Sequence, residues 1–366
     1  MAAAKMRLFK LTQQGFTMTS HTILLIGGSG FIGSAIAARL CAQGKRVIVP
    51  ARNRERAKHL ILLPTADVVE ADVNQPETLA ALMKGVDAVI NLVGVLHSDT
   101  GTPYGRRFKA AHVDLARNVA EACVSAGVPR LLHMSSLCAD ANGPSMYLRS
   151  KAAGEAAVRE ALGATVASSP VATAAAANAV GASTGANATQ GAAGTALTIF
   201  RTSVVFGRND KFINLFAWMQ KFAPFVLLGR PDAKLQPVWV EDVAQAFVNA
   251  LDEPRTFGHT YELAGPKVYT LKQLVEYAGA VSGHARKVIG LPDGLAYLQA
   301  WSMEFAPIEL LSRDNLDSTK VDNAMQGAVA AELKVTPAAM EAVVPAYLSG
   351  KSPRARYTQF RDHARR

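Results

Sequence analysis

Ile23-Leu24-Leu25-Ile26-Gly27-Gly28-Ser29-Gly30-Phe31-Ile32-Gly33, followed by Ser34-Ala35-Ile36-Ala37-Ala38-Arg39-Leu40, decides the fold. Four apolar residues in a row predict a strand buried on both faces, as in a parallel sheet. Three glycines at 27, 30 and 33 then predict a tight turn, and the residues after them a helix. Strand, glycine turn and helix together make a pyrophosphate site. The glycines let the backbone come close to the phosphates, and the helix start offers free N–H groups and a positive dipole end. Gly27, Gly30, Phe31, Ile32 and Gly33 are the expected contacts.

Outward from this stretch, apolar segments alternate with helical ones. Arg46 to Val49 reads as a second strand, Asp67 to Val73 as a third, Asp87 to Gly94 as a fourth and Arg130 to Ser136 as a fifth. Helices are expected over Pro76 to Lys84, Ala111 to Ala126 and Tyr147 to Glu160. Strict alternation of this kind makes an α/β fold, a right-handed doubly wound parallel sheet of Rossmann type. A sixth strand is expected over Leu197 to Gly207, a helix over Phe212 to Phe222, and a strand over Pro237 to Asp242 ending in a helix cap. A last strand is expected near Tyr261 to Gly265.

The chain of 366 residues divides into a tail (1–20), a dinucleotide-binding unit (21–225) and a smaller C-terminal substrate or partner lobe (226–366). Residues 236–265 of that lobe return to the sheet. The first unit carries an uncharged, low-complexity insertion (163–195), expected to be disordered because it has little apolar surface to bury. Leu291 to Leu311 is the most apolar part of the C-terminal third, suited to packing on the sheet or to a lipid or quinone contact.

Net charge is +10, from 39 basic and 29 acidic side chains, with a basic cluster at 351–366. That balance suits a phosphate-bearing cofactor, an acidic partner or an anionic membrane surface. No basic stripe interleaved with aromatics calls for nucleic acid. Three cysteines without a Cys-x-x-Cys pair suit a reducing cytoplasm, and eight histidines without ligand spacing give no expectation of a metal site. Met1 to Ser20 has no signal-peptide core. The expected location is cytoplasmic, or peripheral on the inner membrane.

Two places carry chemistry. Arg52 follows the second strand where NAD-preferring sites usually hold an Asp or Glu on the ribose. A guanidinium there matches a 2′-phosphate, which favours NADP(H) over NAD(H). Asp72 and Val73 are expected beside the adenine, and Leu92, Val93 and Gly94 along the dinucleotide. The second place is Tyr147-Leu148-Arg149-Ser150-Lys151, twelve residues on from the strand-end Ser135-Ser136. Tyr147 and Lys151 share a helix face, and the ammonium is expected to lower the phenol pKa toward working pH for proton transfer.

These pieces in this order resemble the short-chain dehydrogenase/reductase superfamily in its extended and atypical branches, which include the NAD-dependent epimerase/dehydratase-like proteins. The resemblance rests on Gly27 to Gly33, Ser136, Tyr147 with Lys151, and Arg201-Thr202-Ser203-Val204-Val205-Phe206-Gly207. More narrowly, Tyr147 to Glu155, Phe206 to Asn214 and Gln236 to Val243 are similar to the NADPH-binding accessory subunits of respiratory complex I and their bacterial relatives. The similarity spans about residues 21 to 320, apart from the insertion. It implies Tyr147 as acid/base, Lys151 holding the nicotinamide ribose and Ser136 orienting the substrate oxygen. It further implies either an oxidoreductase or epimerase/dehydratase linked to ubiquinone, with a quinone-related ligand, or a non-catalytic NADPH holder docked on a respiratory or quinone-making complex.

Overall fold

The computed structural model describes residues 20–163, 194–304 and 311–349. The expected tail, most of the uncharged insertion and the basic terminal cluster lie outside them. Seven strands form one all-parallel sheet. They are β1 (Thr22–Ile26), β2 (Arg46–Ala51), β3 (Ala66–Glu70), β4 (Ala88–Asn91), β5 (Arg130–Ser136), β6 (Ala196–Thr202) and the edge strand Thr260–Leu263. The spatial order runs from Thr260–Leu263 through β6, β5, β4 and β1 to β2 and β3. The order reverses at β1, where the ligand crevice of a doubly wound sheet opens.

Alternation within each strand feeds two cores. Ile23 and Leu25 face helices α1 (Phe31–Ala42) and Val240–Leu251, with Ile36, Leu40, Val243 and Phe247. Leu24 and Ile26 face the opposite layer, which holds Leu79 of α2 (Pro76–Leu82), Val119 of α3 (Leu115–Ala126) and Val158 of α4 (Met146–Ala161). Burying each such side chain is worth about 1.5–3 kcal/mol, so neither face can be given up. Phe200 of β6 stacks on Phe247 at 4.2 Å and ties the last helix to the sheet. A third cluster, with Phe206, Ile213, Val226, Leu228, Leu274 and Val344, makes the core of the C-terminal lobe.

Several boundaries differ from expectation. β3 stops at Glu70 and β4 at Asn91, each before an Asx turn. Asp72 Oδ1 accepts from the Asn74 amide, and Asn91 Oδ1 from the Val93 amide. β6 ends at Thr202, and Val205–Phe206 pairs instead with Val238–Trp239. The helix expected to be capped near Asp242 starts at Val240. Glu241 and Asp242 sit in its first turn, where they complement the dipole, pair with Arg39 and accept from the Ala338 amide. Among the described residues no helix is long and apolar enough to cross a membrane.

Candidate functional site

The glycine turn is closed by its own backbone. Gly27 has φ +83°, and a Cβ there would lie 3.3 Å from Leu92 at the end of β4. A Cβ on Gly33 would fall 2.4 Å from the Gly27 carbonyl oxygen, so α1 can start this close to β1 only with glycine. Gly30 is the N-cap, exposed, with no side chain over the helix start and no acid in the first turn. The first intrahelical amide is Ser34, bonded to the Gly30 carbonyl at 2.9 Å. The amides of Phe31, Ile32 and Gly33 thus have no intrahelical partner at a positive dipole end, which fits a diphosphate.

Beside this turn, Arg52 stands exposed one residue past β2. The next residue, Asn53, caps a short 3-10 helix by accepting from the Glu55 amide. His59 of that helix reaches back to Ser34 Oγ at 2.9 Å, joining the arginine-bearing segment to α1. Asp72 and Val73 follow β3, half-buried, with the Asp72 carboxylate turned onto Asn74. Leu92, Val93 and Gly94 follow β4. The expected cofactor contacts from Gly27 to Gly94 therefore line the carboxyl ends of β1 to β4, whereas Tyr147 and Lys151 lie on α4.

The groups expected to react come together at the next strand. Ser136 ends β5 beside the Tyr147 phenol at the start of α4, near enough for its hydroxyl to act against the effect of burial on that phenol. Lys151, one turn further, is buried, with its ammonium donating to the Met134 carbonyl at 3.2 Å. A Cβ on Gly94 would sit 3.2 Å from that nitrogen, so the glycine leaves the ammonium open toward the crevice. One acceptor for three N–H donors fits a group that also holds ribose hydroxyls. Burial pushes Lys151 down to about 8, against the opposing pull of Glu155. Tyr147 departs from the sequence expectation. Burial raises its phenol above the ordinary value, with the Ser136 hydroxyl acting the other way. The desolvated cation does not reverse this, so the phenol is held protonated, as a proton donor must be.

Two parts of the site were not anticipated. The helix before α3 widens into a π-turn over Lys109–Asp114, which brings His112 under Gly94. His112 Nε2 accepts from the Val95 amide at 3.0 Å, so Nδ1 carries the proton toward Ser150 Oγ at 2.8 Å. Ser150 in turn donates to the Tyr147 carbonyl. Burial and the Lys151 charge push His112 down to about 2, and His133, bonded to Asn91, goes to about 3. Gly154 makes the π-turn possible, since a Cβ there would lie 2.2 Å from the His112 carbonyl oxygen. The second part is Asp314, whose carboxylate accepts from the Met146 and Tyr147 amides at 2.6 and 3.1 Å. Ser318 bonds Ser145, the α4 cap, so the C-terminal lobe holds the start of the Tyr147 helix. No local pattern marks Asp314; the only sequence signal for the π-turn is a glycine one turn beyond Ser150.

A parallel sheet with a glycine turn after its first strand and Ser, Tyr and Lys at its fifth defines a nucleotide-binding Rossmann protein of the short-chain dehydrogenase type. The chain belongs to the NAD dependent epimerase/dehydratase family, whose pattern matches residues 23–264. It is 31% identical over 259 residues to mouse (Mus musculus) mitochondrial NADH dehydrogenase (ubiquinone) 1 alpha subcomplex subunit 9, covering 69% of this chain and 59% of that protein. The Arabidopsis thaliana counterpart is 30% identical over 288 residues, 77% of this chain and 63% of the relative. The chain thus spans less than two thirds of either relative's length. A ceramide reductase of Caulobacter vibrioides is 27% identical over 288 residues, 76% of this chain and 78% of that one. Among solved structures, MoeE5 with UDP-glucuronic acid and NAD matches at TM-score 0.63 and 16% identity, covering 92% and 99% of the two chains. The UDP-glucose 4-epimerase of Thermotoga maritima matches at 0.60 and 15%, covering 93% and 99%. At these identities the likeness is one of fold.

Proposed function

We propose that the chain is an NADP(H)-dependent oxidoreductase that works on a hydrophobic, quinone-related or lipid-like carbonyl or alcohol at a membrane surface, with NAD(H) the weaker ligand. The observation that carries the reading is the convergence of Ser136, Tyr147 and the buried Lys151 ammonium, which lies beside Gly94, at the end of β5. A structural nucleotide holder has no need of a protonated phenol placed beside a strand-end hydroxyl. NADPH, when bound, supplies a hydride. Tyr147 gives its phenolic proton to the oxygen of the reduced carbonyl, Ser136 orients that oxygen, and Lys151 holds the ribose and offsets the phenolate charge as the proton leaves. In the reverse direction the same phenolate removes a proton. Arg52 favours a 2′-phosphate, worth ~1–3 kcal/mol for a charge-assisted contact. The ceramide reductase relative supports a reductive role toward an apolar substrate.

A second reading is favoured by the relatives that are subunits of NADH dehydrogenase: a non-catalytic NADPH holder docked on a respiratory complex. Complementation of a deletion strain separates the two. If the protein is catalytic, Tyr147→Phe fails while keeping bound nucleotide, as Lys151→Ala fails through lost nucleotide. If it is structural, Tyr147→Phe restores growth and quinone levels in full.

A further inference from the structure

From Lys211 to Arg230 and from His284 to Met303 the C-terminal lobe has one carboxylate, Asp293, and that one is salt-bridged to Arg230 at 2.6 Å. The same two segments expose an unusual amount of large apolar surface. Phe225–Gly229 and Lys287–Leu291 pair in parallel, with Leu227 opposite Ile289 and Phe225 opposite Lys287. Val226 and Leu228 point into the lobe core, so by strand alternation Phe225, Leu227 and Ile289 point out, and all three are exposed. The helix Ile213–Phe222 runs into the first of these strands. It carries Trp218 and Phe222, whose rings lie 5.5 Å apart on its outer side. The helix Asp293–Met303 leaves the second strand. It buries Ala296 and Ala300 with Leu316, and presents Leu295 and Leu298 outward. These seven side chains are between 39% and 67% exposed.

The exposed cations of these segments are Lys211, Lys221, Arg286 and Lys287, with the Lys221 ammonium 5.5 Å over the Phe222 ring. Aromatic and aliphatic side chains interleaved with lysine and arginine, and with no free acid, have the composition of an interfacial membrane contact. The apolar groups enter the acyl boundary while the cations meet anionic headgroups. A protein partner would need a strongly acidic rim around an apolar centre, whereas an anionic bilayer has both properties everywhere. We infer that this face, from Trp218 to Leu298, docks the protein on an anionic lipid surface. The inference deepens the membrane-surface part of the reading above and does not depend on the catalytic part.

Flotation with vesicles of phosphatidylcholine alone, or with cardiolipin added, tests it on the full chain. Binding of the wild type is expected only with cardiolipin present. Trp218→Ser with Phe222→Ser, and separately Lys221→Glu with Lys287→Glu, should each weaken it about tenfold or more. Leu62→Ser, which removes an 88% exposed leucine at the far edge of the sheet, should leave binding unchanged. All altered side chains are on the surface, and retained nucleotide binding checks that the variants fold. Full binding by both double variants would overturn this face while keeping a membrane location through another part of the chain. No vesicle binding by the wild type would overturn the face and the membrane location together, leaving the catalytic reading standing.

Discussion

At the scale of single residues, burial sets the behaviour of the groups that titrate in the site. Lys151 is the clearest case. Its amine goes down to about 8 through burial, so the cation that would hold ribose is fully present below that value and is lost as pH rises through it. Nucleotide affinity is therefore expected to be flat near pH 7 and to fall by up to roughly tenfold per unit above pH 8–9. Calorimetric titration checks this, and Lys151→Met should bind weakly with no such dependence. Arg52 makes a separate prediction. NADPH should bind more tightly than NADH, and Arg52→Ala should remove most of that gap, about 1–3 kcal/mol. Equal wild-type affinity for the two nucleotides would contradict the 2′-phosphate assignment. Arg52 was readable from sequence because it follows a strand, and Lys151 because it lies one helical turn beyond Tyr147 on the same face. The protonation of Tyr147 was not, since it depends on burial set by elements far apart in the chain.

Among elements, α4 matters most, because it carries Tyr147 and Lys151 on one face. Its first two amides are satisfied by Asp314, a residue that no periodicity in the sequence connects to it. Asp314→Ala should lower stability by about 1–2 kcal/mol through lost capping, measured by urea denaturation, while Asp314→Asn should recover part of it. The effect on activity should exceed that on nucleotide affinity, since Tyr147 lies at the loosened end and Lys151 a turn inside. The strands β3 and β4 teach the same lesson from the other side. Their apolar runs extend past Glu70 and Asn91, yet Asx turns at Asp72 and Asn91 end the ladder. Apolar patterning fixes where a strand is and leaves its last residue to side-chain chemistry.

For the whole molecule, two neutral histidines buried between β4, β5, the π-turn and α4 set the response to acid. His112 and His133 go down to about 2 and 3, whereas both take up protons near 6.5 when unfolded. Below about 6.5 the unfolded state thus binds more protons than the folded one. Stability is complete above that value and falls as pH drops, by up to about 1.4 kcal/mol per unit for each histidine. Urea midpoints between pH 7.5 and 5 should show this slope, and His112→Gln should reduce it. The doubly wound parallel sheet was legible from strand–helix alternation, and the Rossmann architecture followed from it. The union of the C-terminal lobe with α4 was not, because it depends on side chains brought together from residues far apart in sequence.

The proposed role of Tyr147 in moving a proton during NADPH-dependent reduction is tested by turnover of NADPH by wild type and Tyr147→Phe. Both are assayed against a panel of hydrophobic quinones and long-chain ketones, with nucleotide affinity measured on the same samples. Wild-type turnover with at least one of these is expected. A fall of roughly 10²–10⁴ is expected in the variant, with nucleotide affinity nearly unchanged because the ring and its packing on Phe108 and His112 remain. Wild-type turnover that Tyr147→Phe leaves intact, or bound NADPH that no substrate of this class oxidises, would contradict that role.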